Sequence, residues 1–298
     1  MDDKMICKLC PRECGVNRQK NIGYCGVGQT IRIARAALHM WEEPCISGTE
    51  GSGAIFFAGC NLHCIYCQNH AISGGDVGRD VSVDELAGIM VALQKEGANN
   101  INLVTPSHYA VQIVEAVAKA RANGLTLPII YNTSAYEKVE TIKLLRGTVD
   151  VYLPDYKYYD SQLAENYSGA QDYPDVAFAA IEEMFSQQKN LEFDEYGKIT
   201  KGVIVRHLCL PGHTKDSKRV IEKLFTRFGD NIFISIMSQY TPMVSQGELS
   251  RKLTKREYDS VVDYALELGV VNAFIQEGDV AEESFIPDFD LTISGGNH

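Results

Sequence analysis

Cationic charge is in short supply: 28 Lys and Arg stand against 39 Asp and Glu, a formal net charge of −11. A chain this acidic is not drawn by its overall field to a nucleic-acid backbone, which makes nucleic acid an unlikely partner. Long apolar runs are missing as well. No stretch approaches the roughly 18 apolar residues of a membrane span, and Met1-Asp-Asp-Lys-Met-Ile-Cys-Lys lacks the apolar core of a secretion signal. A soluble, cytoplasmic protein is expected. Only one Trp accompanies 15 Tyr, and low-complexity tracts are absent; only the Gly-Gly-Asn-His end reads as a frayed tail. Cysteine, by contrast, is abundant. Nine residues, an odd number clustered at short spacings, point to metal ligation and away from a disulfide framework.

At 298 residues and 45% hydrophobic content, the chain is long enough for one catalytic domain with appendages. The first fifty residues are rich in cysteine and glycine without a sustained period, and read as loops organised by a ligand. Beyond Gly53, apolar runs of four to six residues alternate with amphipathic stretches, the pattern of repeated βα units on a parallel sheet. Candidate strands are Ala54–Ala58, Ile101–Val104, Pro128–Tyr131, Val149–Leu153, Gly202–Leu208 and Asn231–Ile236, with Ala273–Gln276 as a further edge. Leu86, Ile89, Met90 and Leu93 form a helical stripe, opened by a capping box of Ser82 and Glu85. Similar stripes are Val111, Val114 and Ala118; Val220, Ile221, Leu224 and Phe225; and Tyr258, Val261, Val262 and Ala265. A Gly-containing turn at Asp194–Gly197 suggests a short hairpin. Six βα units are too few for a closed eight-stranded barrel, so the expected α/β fold is a partial (β/α)6 TIM-like barrel with a loop-rich, metal-binding N-terminal segment. The divisions are 1–50 for the cysteine-rich segment, 51–245 for the barrel, and 246–298 for a C-terminal helix and extension.

Phe57-Ala-Gly-Cys60-Asn-Leu-His-Cys64-Ile-Tyr-Cys67 sets three cysteines in C-x3-C-x2-C spacing directly after the first βα strand. Loops at the carboxyl ends of barrel strands surround one mouth, where active sites form. Three thiolates bind three irons of a cubane and leave the fourth open, whereas most clusters are closed by a fourth cysteine. A zinc site completed by His63 or His70 is the alternative.

The C-x3-C-x-aromatic-C arrangement, with Tyr66 as the aromatic, resembles the signature of radical S-adenosylmethionine (SAM) enzymes. The resemblance implies that SAM chelates the open iron of a [4Fe–4S] cluster on Cys60, Cys64 and Cys67. An electron then breaks its sulfur–C5′ bond, and a 5′-deoxyadenosyl radical abstracts hydrogen. From Cys7 to Tyr240, about four-fifths of the chain, the order of motifs is similar to that of pyruvate formate-lyase activating enzyme-like proteins, in the branch with an N-terminal cysteine cluster. The markers are Cys7-Lys-Leu-Cys-Pro-Arg-Glu-Cys-Gly-Val-Asn-Arg18, Glu43-Pro-Cys-Ile-Ser-Gly48, Val104-Thr-Pro-Ser-His108, Pro154-Asp-Tyr-Lys157, Val205-Arg-His-Leu208 and Met237-Ser-Gln-Tyr-Thr-Pro242.

By that resemblance Ile65 and Tyr66 lie against the adenine. Thr105 and Ser107 stand where the activating enzymes carry Gly-Gly-Glu beside the SAM amine; this chain departs there, keeping carbonyls and hydroxyls but losing the carboxylate. His108 reads equally as a capping or core-facing residue. Asn132 and Thr133 match a polar SAM-binding segment. Asp155 and Lys157 match an Asp-x-Lys whose lysine pairs with the SAM carboxylate and whose aspartate holds a ribose hydroxyl or small cation. Arg206, within an apolar strand, needs a carboxylate or ligand. Gln239 and Tyr240 complete the mouth.

Cys7, Cys10, Cys14 and Cys25 have spacing C-x2-C-x3-C-x10-C, four thiolates that suit a closed site. An auxiliary iron–sulfur cluster is preferred because the chain already depends on cluster assembly; zinc is the alternative. Cys45 either replaces Cys25 or is a lone buried thiol, and Cys209 reads as packing. The functions implied are a radical SAM oxidoreductase that activates a glycyl radical enzyme, reduced by a donor such as flavodoxin or ferredoxin, or one acting on a small molecule or another macromolecule. A non-catalytic electron-transfer protein with closed clusters is the reading from another class.

Overall fold

The computed structural model describes residues 6–276, 287 and 289–295; residues 1–5 of the amino-terminal reading, and the tail reading from residue 296 onward, lie outside them. Ten strands are described: β1 (Ile31–His39), β2 (Ser52–Phe57), β3 (Arg79–Val81), β4 (Ile101–Val104), β5 (Ile129–Thr133), β6 (Val151–Pro154), β7 (Glu192–Phe193), β8 (Ile199–Leu208), β9 (Phe233–Met237) and β10 (Ala273–Ile275). Their order is β10-β9-β8-β6-β5-β4-β2-β1-β3, with β7 paired to β8. The seven strands from β10 to β2 run parallel. The path does not return on itself, so the barrel is open. All six expected βα strands are present, the Ala273–Gln276 edge forms β10, and the hairpin at Asp194–Gly197 joins β7 to β8.

The first fifty residues are not all loop. β1 is nine residues long and pairs antiparallel with β2 from Ile33↔Phe57 to His39↔Ser52. A register shift between Ile33 and Arg35 breaks its period-2 alternation, so Ile31, Ile33, Ala36 and Leu38 share one core while Ala34 packs into another on the opposite face, and the sequence pattern is masked.

The helices are α1 (Pro44–Ser47), α2 (His70–Ser73), α3 (Val83–Lys95), α4 (Ala110–Ala122), α5 (Val139–Leu144), α6 (Ser161–Ser168), α7 (Tyr173–Gln187), α8 (Thr214–Phe228) and α9 (Lys255–Leu268). Helix α3 begins as expected: Ser82 accepts from the Glu85 N–H while Glu85 accepts from the Ser82 N–H, satisfying two donors that an α-helix leaves unpaired. On α4 the expected stripe is displaced. Ala110, Ile113, Ala116, Val117 and Ala120 are buried, whereas Val111 is 57% exposed and Ala118 is also outward. Small alanines let α4 approach the sheet closely, which hydropathy weighted toward Val does not reveal. No described helix is long and apolar enough to cross a membrane.

Alternate residues on each strand face opposite sides. One face of the sheet packs under α3, α4, α7 and α8, giving two large cores. On the other face, Ile130, Val151, Leu153 and Ile204 pack against Cys45 and Ile46 of α1. That short helix, held where Pro44 occupies its first turn, therefore floors the concave side of the barrel. Burying Ile46 completely stabilises this arrangement by about 1.5–3 kcal/mol. Above the floor a cavity remains.

Candidate active site at the strand ends

The cavity has a volume of about 390 Å³ and opens at the carboxyl ends of the parallel strands. Its size suits a ligand of several hundred daltons. Cys60, Cys64 and Cys67, on the loop after β2, form one wall, and no other cysteine among the described residues lines it. Burial pushes the Cys67 thiol up to about 12, with Cys60 and Cys64 adding to the rise. Cys64 is raised by burial against the pull of Lys157. Three crowded thiols that oppose one another's ionisation suit a strongly cationic group, and three sulfur donors with no fourth cysteine suit a cubane with one open corner.

The opposite wall is charged. Arg206 donates from Nε to Asp155 Oδ1 at 2.9 Å, from Nη1 to Glu42 Oε2 at 3.2 Å and from Nη2 to Asn132 Oδ1 at 2.6 Å. Lys157 Nζ donates to the other Asp155 oxygen at 2.6 Å. Burial works against each charge, but Lys157 and Arg206 hold Asp155 below its ordinary value, and Asp155 with Cys64 keeps Lys157 above its own. The need of Arg206 for a carboxylate is thus met inside the cavity, as its place in an apolar strand required.

Thr105, Asn132, Thr133 and Gln239 also line the cavity. Thr105 has φ of 58°, the left-handed region that a β-branched residue strongly disfavours. Gln239 is tied to the cysteine loop: its carbonyl accepts from Gln68 Nε2 at 2.8 Å, and its side chain accepts from Gln276. Tyr240 is buried, with its hydroxyl on the Leu249 carbonyl. Ser107 does not line the cavity. It donates to the buried Glu137 at 2.5 Å, as Thr133 does at 2.8 Å and Tyr131 at 3.2 Å. Burial raises the Glu137 carboxyl despite these donors.

Tyr66 lines the cavity but sits among aromatics, 6.1–6.4 Å from the rings of Tyr158, Tyr167 and Tyr240. Ile65 is half exposed and does not line it. The Tyr66 hydroxyl accepts from Tyr158, whose oxygen also meets Ser168, and Ser168 donates to Cys64 Sγ at 3.1 Å. His108 is core-facing, its Nε2 2.8 Å from the Ala58 carbonyl. Cys209 is fully buried packing, and Cys45 is a lone thiol on the barrel floor, apart from the other N-terminal cysteines.

The N-terminal cysteines lie on a loop stapled to the rim. Arg12 donates to the carbonyls of Asn61, Ser168 and Gly169, and its guanidinium lies over Tyr24 and Tyr136. Arg18 donates to the carbonyls of Gly28 and His108. Cys14 and Cys7 are hydrogen-bonded neighbours, Cys25 feels the charge of both, and Cys10 feels that of Cys25. Burial raises Cys10 to about 11. Among the described residues no three Cys, His or carboxylate side chains close tightly on one point.

Sequence reasoning missed Glu42 as a site residue and named Glu43 only as a motif letter. The signal was available in part: two adjacent acids precede a proline and an apolar turn, an odd place for charge unless a cation waits nearby. Glu137, Tyr158 and Ser168 carried no such signal.

A model of the radical SAM superfamily matches residues 54–224. An uncharacterised protein of Methanocaldococcus jannaschii, MJ0674, is 28% identical over 271 residues, covering 87% of this chain and 74% of that protein. Among solved structures, the FeFe-hydrogenase maturase HydG from Carboxydothermus hydrogenoformans aligns with a TM-score of 0.51 at 12% identity, over 79% of this chain and 55% of that one. Methylornithine synthase (PylB) gives 0.49 at 16% identity, over 70% and 59%. The chain thus spans little more than half the length of these structures. At such identity the likeness to HydG shows the fold alone, an open and mostly parallel α/β barrel.

Proposed function

Because this chain belongs to the radical SAM superfamily, and so is a SAM-cleaving radical enzyme, we propose that Cys60, Cys64 and Cys67 hold its [4Fe–4S] cluster and that the cavity beside them holds SAM. The observation that carries this reading is that the three thiols share one cavity with Thr105, Asn132, Thr133, Asp155, Lys157, Arg206 and Gln239. Bound there, the cluster and SAM supply an electron-driven cleavage that gives methionine and a 5′-deoxyadenosyl radical for hydrogen abstraction.

The protein's own groups orient and shield that chemistry. Lys157 supplies positive charge for the SAM carboxylate, while Asp155, fixed by Lys157 and Arg206, offers oxygens to ribose hydroxyls. Thr105, strained and lining the cavity, supplies a hydroxyl and a carbonyl as acceptors for the SAM amine. Ser107 acts indirectly, through Glu137, by fixing Thr133. Tyr66 and its aromatic neighbours close one side against water. Cys7, Cys10, Cys14 and Cys25 take a second metal, preferably an iron–sulfur cluster, beside the catalytic loop, and an external donor such as flavodoxin or ferredoxin provides the electron.

Activation of a glycyl radical protein is the role implied by the resemblance to activating enzymes. A small molecule is the donor favoured by the floor that α1 builds under the cavity, which narrows the barrel interior. Anaerobic reconstitution, reduction with dithionite and addition of SAM should release methionine and 5′-deoxyadenosine together. Protein that binds iron yet releases neither would end this reading.

A further inference from the structure

The inner wall of the cavity carries more carboxylate than cation. Glu42, Glu43 and Asp155 line it against Arg206 and Lys157, three carboxyl groups to two cations, and burial raises the Glu43 carboxyl, favouring its protonated form until a further cation meets it. Two of these acids already have a donor on each oxygen: Asp155 takes Arg206 and Lys157, and Glu42 takes Arg206, Asn102 and Asn132. Glu43 is different. Ser235 donates to its carboxylate, but among the described residues Oε2 has no hydrogen-bond partner although Glu43 is only 9% exposed. Arg206 lends Glu43 its charge but no hydrogen bond, since its three nitrogens already serve Asp155, Glu42 and Asn132.

A buried carboxyl oxygen without a donor is unfavourable, and a ligand that brings a donor into the cavity relieves it. The last torsion of a glutamate is soft, so the carboxylate can re-aim at a donor entering the cavity. Aromatic side chains also line the cavity: Trp41, 56% exposed, and the buried Phe56, whose ring meets His39 and Phe289 edge-on at 5.8 and 5.6 Å. Such faces attract ammonium groups.

We propose that Glu43 is a substrate-binding residue, and that the hydrogen donor is a small molecule with a protonated amine, paired with the Glu43 carboxylate and flanked by Trp41 and Phe56. The inference rests on the radical SAM reading and names the substrate class for that site.

The test uses the reconstituted holoenzyme with SAM and measures dissociation constants for butylamine and cadaverine beside butanol and butyrate. Amines should bind at least about tenfold more tightly than the alcohol or the acid, a difference of about 1.4 kcal/mol. Glu43→Gln should erase that preference, while Glu50→Gln, an exposed acid outside the cavity, should keep it. Equal binding of amine and alcohol by the unaltered enzyme would overturn the proposal, and this comparison needs no variant that must fold. So would a Glu43→Gln protein that retains the preference, or one whose affinity for SAM falls by the same factor, since SAM would then be the cation recognised. Release of 5′-deoxyadenosine is followed in the same samples: its presence without amine preference sinks only this inference, and its absence sinks the radical SAM reading itself.

Discussion

The backbone N–H of Cys60 donates to the carbonyl of Cys25 at 3.0 Å, joining the last cysteine of the N-terminal set to the first of the catalytic loop through main chain alone. The contact is reinforced next door, where Gly26 lies so close to Gly74 that a Cβ on it would sit 2.1 Å from the Gly74 carbonyl oxygen. The geometry of the two cysteine sets is therefore mechanically linked.

Gly26→Ala should separate the two loops, since the clash is with backbone and φ is +83°. A loss of about 2 kcal/mol or more is expected, together with slower 5′-deoxyadenosine release. The matched control is Gly88→Ala on α3, where a Cβ meets nothing within 4 Å; it should gain about 0.5–1 kcal/mol. Urea melts of both proteins decide this, and equal midpoints would refute the linkage.

Replacing Cys14 with Ser should remove the second metal while iron bound at Cys60, Cys64 and Cys67 remains. Metal analysis then distinguishes the alternatives: four irons lost per chain for a cubane, one zinc lost for a zinc site. A metal content identical to that of the unaltered chain would show that the N-terminal thiols hold nothing.

Arg206→Ala should be among the costliest single changes in the barrel. It strips Asp155 and Glu42 of their shared cation inside a buried site, and losing one partner of such a pair costs about 3–5 kcal/mol. Adding Glu42→Gln should restore part of that stability. If the double variant is no more stable than the single one, the pair is not the source of the cost.

Stability should fall as pH rises because of Glu137. Its folded-state pKa is raised by burial, so between the unfolded value, about 4.3, and the raised one the native state holds a proton that the unfolded chain has released. The contribution is fully present below the unfolded pKa and is lost as pH climbs through the folded one. Glu137→Gln keeps an acceptor for Ser107 and Thr133 and should therefore become more stable relative to the unaltered chain from pH 5 to pH 8. A stability difference that stays constant over that range would contradict the assignment.

Much of this was legible in the sequence, for local reasons. The C-x3-C-x2-C loop follows from residue spacing after one apolar run, and six strands follow from the alternation of short apolar runs with helical stripes. β1 was hidden because its bulge shifts the alternation, so that Ile31, Ile33, Ala36 and Leu38 share one core while Ala34 faces the other, destroying the period on which strand recognition depends. The α4 face was misjudged by preferring Val111 to Ala110, a choice that depends on how near the helix lies to the sheet.

By itself the sequence determined the open α/β barrel and the place of the cysteine loop at its mouth, because strand period and ligand spacing are written within a few residues. Only the tertiary structure decided that Ser107 turns inward to Glu137, that Cys45 lies on the floor, and that Glu42 and Glu43 reach the cavity, where Glu42 meets Arg206, 164 positions away along the chain. Pairing of buried charges depends on which strands are neighbours and which faces meet, and that is settled by the packing of the whole sheet.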